Sequence, residues 1–215
     1  MRSRVAVATV SGKTYFLVVN EMKKRNIPFL SLIPGEPIPV EIKVVITTEK
    51  EKPLIKYERV LIYNEATEPD IIGSEIVKIL QGKESYETVI IGVDPGEVFG
   101  LAVIADGAVI DTENCFSVKE VVNKIKGVLK TMDFSLSAVS VKIGNGVPAY
   151  KEVVEALDEA LPSEVLLEIV SEAGTNRFHR RAKHSRRLRH IASAMRIAER
   201  VGQVYPRREI VEQNS

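Results

Sequence analysis

The chain has a single cysteine, Cys115, so an internal disulfide is impossible and a cysteine-rich zinc site is excluded. Long apolar runs are missing as well. The longest are stretches such as 15–19 and 101–105, far below the roughly 18–20 residues that span a bilayer. The amino terminus has no apolar core of a secretion signal, and no internal repeat or low-complexity tract is present. These absences predict a cytoplasmic protein with no membrane partner. What remains is 215 residues, 45% hydrophobic and 27% charged, which excludes disorder as the main state and suffices for one ordinary core or two small ones. Abundant Lys and Glu with few Gln hint at a heat-adapted source.

Charge of one sign is scarce overall but not locally. The 30 Lys and Arg nearly balance the 29 Asp and Glu, for a net charge of +1. Between Asn176 and Arg200 stand nine cations, Arg177, Arg180, Arg181, Lys183, Arg186, Arg187, Arg189, Arg196 and Arg200, against one acid, Glu199. That segment carries +8 and leaves −7 to the rest, and it also holds all three histidines, His179, His184 and His190. A concentrated positive element on an acidic body suits a polyanion, because counterions released from phosphates supply binding free energy. A solvated helix face balanced by acids elsewhere is the plainer alternative.

The hydrophobic pattern predicts two α/β domains. In the first, strands at 5–10, 29–33, 43–48 and 59–63 alternate with helices at 13–25 and 70–80, and the proline-rich stretch 34–39 makes a turn or extended connection. A polar stretch at 82–87 marks the boundary, giving a small α/β domain at 1–86, a second domain at 87–205 and a tail at 206–215. From 87 the predicted order is βββαβαβα. Strands at 88–94, 101–106 and 108–116 are consecutive, with Asp106-Gly107 as a hairpin signal. Helices at 118–132 and 149–161 alternate with strands at 138–143 and 165–172, and 176–201 is a long basic helix or a short loop leading into one.

The most informative stretch is Ile91-Gly92-Val93-Asp94-Pro95-Gly96-Glu97-Val98-Phe99-Gly100-Leu101-Ala102-Val103. An aspartate ending a buried strand is costly unless its charge is compensated. The glycines let a neighbouring backbone or ligand approach closely. Such a carboxylate invites a hard divalent cation, or else it satisfies the amides of a Pro95-Gly96 bend.

This stretch resembles the first motif of RuvC-type Holliday-junction resolvases and their YqgF-type relatives, within the ribonuclease H-like fold. The similarity covers roughly 87–205. Residues 169–176, with Glu172 followed by Thr175, are similar to the acidic strand end of the YqgF-type branch, and 190–198 resemble the last-helix motif of both. The resemblance implies a carboxylate cluster holding two Mg²⁺ ions, with Mn²⁺ as a substitute, that cuts phosphodiesters of structured DNA or RNA, and a homodimer on two-fold symmetric junctions. Asp94 matches the first aspartate. Lys142 stands near a resolvase glutamate, where its charge would repel metal, and the acidic positions of the last helix fall on His190 and Ser193. Asp94 and Glu172 thus remain as metal-binding and catalytic candidates with His190 as a third ligand or proton-transfer group. Two carboxylates can hold one Mg²⁺ with water.

On the last helix, Leu188, Ile191, Ala192, Met195 and Ala198 form the expected core-facing stripe, with Thr175-Asn176 as a cap candidate or the segment 178–189 as an arm ordered by its partner. Arg186, Arg187 and His190 would then face Asp94's end of the sheet. Ser11-Gly12-Lys13-Thr14 lacks the earlier glycine of a phosphate-binding loop and reads as a helix start capped by Ser11. Residues 143–148, rich in glycine, are expected in the cleft beyond the strand ends. Three functions stay open: a metal-dependent nuclease with a reduced acidic site, a nucleic-acid-binding module without catalysis, and an actin-like nucleotide-binding protein.

Overall fold

The computed structural model describes residues 3–64, 66, 68–172 and 186–207, and the side chains of Arg186 and Arg187 lie outside that description. The chain divides into two compact units, Met1–Ser85 and Tyr86–Ser215. Both are α/β. No described helix is long and apolar enough to cross a membrane.

In the first unit, β1 (Val5–Ala8), β2 (Phe29–Leu32), β3 (Val44–Thr47) and β4 (Val60–Ile62) form a parallel sheet in the order β2-β1-β3-β4. Alternation along β1 sorts its side chains. Val5 and Val7 pack with residues of α1 (Gly12–Lys24) and α2 (Pro69–Leu80), while Ala6 and Ala8 meet Ile42, Ile38, Ile55 and Tyr57. One face is therefore roofed by helices and the other by the long connections. Ser11 caps α1 by accepting from the Thr14 amide at 3.2 Å, as its sequence implies. A buried ion pair, Arg25 Nε to Glu21 Oε1 at 2.5 Å, joins the helices, since Arg25 Nη2 also reaches the Asp70 carbonyl at 3.3 Å.

In the second unit, β5 (Thr88–Asp94), β6 (Phe99–Ala105) and β7 (Ala108–Cys115) run antiparallel, and β8 (Ala138–Gly144) and β9 (Leu166–Val170) then join parallel to β5. A two-residue strand that the hydrophobic pattern does not reveal, β10 (Gln203–Val204), closes the order β10-β9-β8-β5-β6-β7. The β6–β7 turn has left-handed backbone at both Asp106 and Gly107, the geometry that Asp-Gly favours in a tight hairpin. β6 is buried along its whole length, so both sheet faces are covered. α3 (Val118–Leu129) and α4 (Tyr150–Ala160) pack on each other and reach β7 and β8. The other face belongs to α5 (Arg186–Ala198).

Of the expected α5 stripe, Ala198 is buried, Ile191, Ala192 and Met195 are half-buried, and Leu188 departs from it. Leu188 is 51% exposed, and the buried residues are Ala194, Ile197 and Ala198. The cause lies in the sheet. A Cβ on Gly92 would stand 2.0 Å from the Ala194 carbonyl oxygen, and one on Gly100 would stand 2.1 Å from that of His190. The two glycines form hollows into which the helix backbone sinks at His190 and Ala194, so the inward face is set by Ala194, Ile197 and Ala198 and Leu188 is left outside. Beyond α5, Arg207 donates to Asp158 Oδ1 at 3.0 Å and to the carbonyls of Asp158, Leu161, Pro162 and Val165. The guanidinium thus closes the carboxyl end of α4.

Candidate nucleic-acid interface

Asp94 ends β5, and its side chain is 14% exposed. Because α5 crosses directly above, His190 Nδ1 lies 3.7 Å from Asp94 Oδ2, an ion pair when the imidazole is protonated and beyond hydrogen-bond reach when it is not. One turn on, the Ser193 hydroxyl hydrogen-bonds the same carboxylate, and Arg196 Nη2 donates to Ser193 Oγ at 2.9 Å. Ser193, which offers no carboxylate of its own, thus links Arg196 to Asp94. Burial, followed by the charge of Glu172, raises the Asp94 pKa from 3.8 to about 7, against the opposing pull of Arg196 and Ser193.

Glu172 follows β9 on the same carboxyl edge, and glycine explains its placement. Its Oε1 would lie 2.3 Å from a Cβ on Gly144, and it accepts from the Gly146 amide at 3.1 Å. In return the Glu172 amide donates to Asn145 Oδ1 at 3.3 Å, and the Asn145 amide to the Val170 carbonyl at 3.0 Å. The glycine-rich loop is a cradle for this carboxylate.

Lys142 serves elsewhere. Its Nζ donates to the Arg200 carbonyl at 2.6 Å and lies 3.7 Å from Glu168 Oε2, which itself accepts from the Gly202 amide at 3.0 Å. The lysine holds the chain leaving α5 against β8 and β9. Its charge is spent on Glu168 and a carbonyl, not on the Asp94 pocket.

Of the other sequence candidates, Arg189 is exposed on α5, and Arg186 and Arg187 occupy its first turn. Arg177, Arg180, Arg181, Lys183 and the Thr175-Asn176 cap lie outside the described residues. Arg196, counted only as one cation among nine, is the residue that sequence reasoning undervalued. Its spacing of three from Ser193 was the available signal.

Among the described residues, no group of three or more His, Cys, Asp or Glu could hold a metal ion. A two-ion centre does not fit this set. Asp94 and Glu172 are near enough for the charge of Glu172 to raise the cost of ionising Asp94.

The first unit has a cavity of about 780 Å³ beyond the carboxyl ends of β1, β3 and β4, lined in part by Ser11, Thr14, Thr48 and Glu51. Glu51 accepts from Thr9 Oγ1 at 2.7 Å, the Val10 amide at 2.7 Å and Thr48 Oγ1 at 2.6 Å. Burial opposes its ionisation, but these bonds prevail and lower its pKa. The carboxylate is saturated from within and braces the two loops.

Residues 4–72 match a family model described as a response regulator receiver-like domain, about a third of the chain. No curated protein matches. Among solved structures, Marinitoga piezophila Argonaute with a 5′ OH guide RNA is similar at 11% identity over 79% of this chain and 39% of that one, with a TM-score of 0.26. The same Argonaute with guide RNA and target DNA is similar at 12% identity over the same shares, with a TM-score of 0.23. The aligned solved chains are thus much longer than this one.

Proposed function

We propose that the second unit is a ribonuclease H-like domain of the RuvC and YqgF kind that binds nucleic acid across the carboxyl edge of its sheet. Three antiparallel strands followed by two parallel ones support the fold reading. The observation that carries the function is the return of α5 over Asp94, which puts His190 at 3.7 Å from it and the cationic first turn of the helix on the same sheet face. Arg189 and its basic neighbours neutralise phosphates, and His190, 3.7 Å from Asp94, lies on the same sheet face to contact one more. The contacts are to backbone, so binding follows charge and shape more than sequence.

A second reading, cleavage of a phosphodiester, is favoured by the mutual repulsion of Asp94 and Glu172. When bound there, one Mg²⁺ or Mn²⁺ would polarise a phosphoryl oxygen. The chain's own part is to hold the two carboxylates: Gly146 and Asn145 fix Glu172, and Ser193 with Arg196 fixes Asp94.

Fluorescence anisotropy with labelled DNA and RNA, single-stranded and branched, tests the binding. Charge reversal at Arg189 is expected to weaken every substrate by a similar factor, and absence of binding at low salt overturns the proposal. Mg²⁺-dependent product formation that Asp94→Asn abolishes supports cleavage; the same rate in both proteins removes it.

A further inference from the structure

Phe116 is 70% exposed, although its position gives it a place to hide. It directly precedes Ser117, the N-cap of α3, whose hydroxyl accepts from the Glu120 amide at 3.2 Å. An apolar residue at that point commonly packs on the fourth residue of the helix as a hydrophobic staple. Here that residue is Val121, fully buried by other neighbours, while the Phe116 amide is tied to Glu120 Oε2 at 2.7 Å. The backbone is fixed and the ring is left in solvent.

Register locates the ring. Asp94 pairs with Gly100, and Gly100 pairs with Asn114, so Asn114 lies two strand spacings, roughly 10 Å, across the sheet from Asp94. β7 runs parallel to β5, which puts Phe116 two residues, roughly 7 Å, farther toward the carboxyl edge. β7 ends at Cys115, and Phe116 stands in the bend just beyond it, two residues after Asn114, which shares with Gly100 the face that α5 covers. The helix crosses the strands in order, with His190 over Gly100 and Ala194 over Gly92, and its contact with β7 brings the turn bearing Arg186, Arg187 and Arg189 to the same side. His190, the basic first turn of α5 and an exposed aromatic ring therefore all lie toward the carboxyl edge of this sheet.

We propose that Phe116 is a base-stacking residue that takes an unpaired nucleobase from a strand whose phosphates lie along the first turn of α5. This rests on the nucleic-acid reading above and narrows it to substrates with a single-stranded segment. Every base offers a π-face, so stacking adds affinity without a sequence requirement, whereas a base inside a duplex is already stacked.

The test uses the full chain, single-stranded DNA and RNA oligonucleotides carrying 2-aminopurine, and a blunt duplex of equal length. Phe116→Ala is expected to weaken single-strand binding by about 5- to 100-fold, a typical range for losing one stacked base, and to leave duplex binding unchanged. Phe116→Trp is expected to keep the affinity and deepen the 2-aminopurine quench. A difference between the DNA and RNA arms identifies the natural strand. Equal single-strand affinity for Phe116→Ala, equal loss on duplex, or a urea midpoint shifted by the substitution overturns the stacking role alone. An unmodified protein that binds the duplex but neither strand overturns the stacking role alone, and one that binds none of these nucleic acids overturns both proposals.

Discussion

Asp94 is the residue at which burial, charge and geometry meet. Its pKa stands at about 7 in the fold against 3.8 for an ordinary aspartate, chiefly because it is buried and then because Glu172 is near. A raised acid favours the fold while it keeps its proton. Its contribution is complete below about pH 4 and is lost as pH rises through about 7, by at most about 4 kcal/mol. Urea midpoints should therefore fall between pH 5 and pH 8 in the unmodified protein, and Asp94→Asn should remove most of that fall. An identical pH dependence in both proteins would locate the titration elsewhere. Ser193 and Arg196 work against the shift, so Ser193, which the sequence presents as a lost carboxylate, tunes the acid it failed to duplicate.

At the scale of elements, the second unit depends on how one helix meets one sheet. Gly92→Ala forces a methyl against the Ala194 carbonyl, and Gly100→Ala does the same at His190. Each is expected to cost about 1–3 kcal/mol through overpacking, measured as a lower urea midpoint, with nucleic-acid affinity reduced as His190 moves off Asp94. Alanine at the exposed Gly12, which has open space around it, should do neither. Much of this architecture was legible. Strand 88–94 follows from an apolar run ended by Asp94, the hairpin from Asp106-Gly107, and the α1 start from Ser11. The glycines beside Asp94 signalled close approach without saying what approached. The inward stripe of α5 was legible at Ala198 but not at Ala194 or Ile197, because size-based periodicity selects Leu188 and Met195, whereas hollows in a distant strand reward Ala194. Two residues of β10 are too few for any alternation, and Lys142 looked like an obstacle to metal because its partners, Arg200 and Glu168, are remote in sequence.

For the molecule as a whole, charge segregation matters more than the net value of +1. The +8 segment lies wholly within the second unit, Tyr86–Ser215. That unit expressed alone should therefore keep the affinity of the full chain, and loss of binding on removing residues 1–85 would bring the first unit into the interface. Salt gives the number of phosphates engaged. If four cations meet a single strand, raising NaCl from 50 to 200 mM should weaken binding by about 50-fold. A flat response would show that the cations serve the fold and not a polyanion.

The paired hollows at Gly100 and Gly92 receive carbonyls of residues 190 and 194, one helical turn apart. Two notches at that spacing index the helix as teeth index a key, since sliding or spinning it would drive other carbonyls into strand backbone. One amino acid inserted between His190 and Ala194 would turn the imidazole by about 100° relative to the second notch, stranding either the ring or the seat. The fold thus fixes the rotational phase of its candidate phosphate-binding imidazole through positions that have no side chain at all.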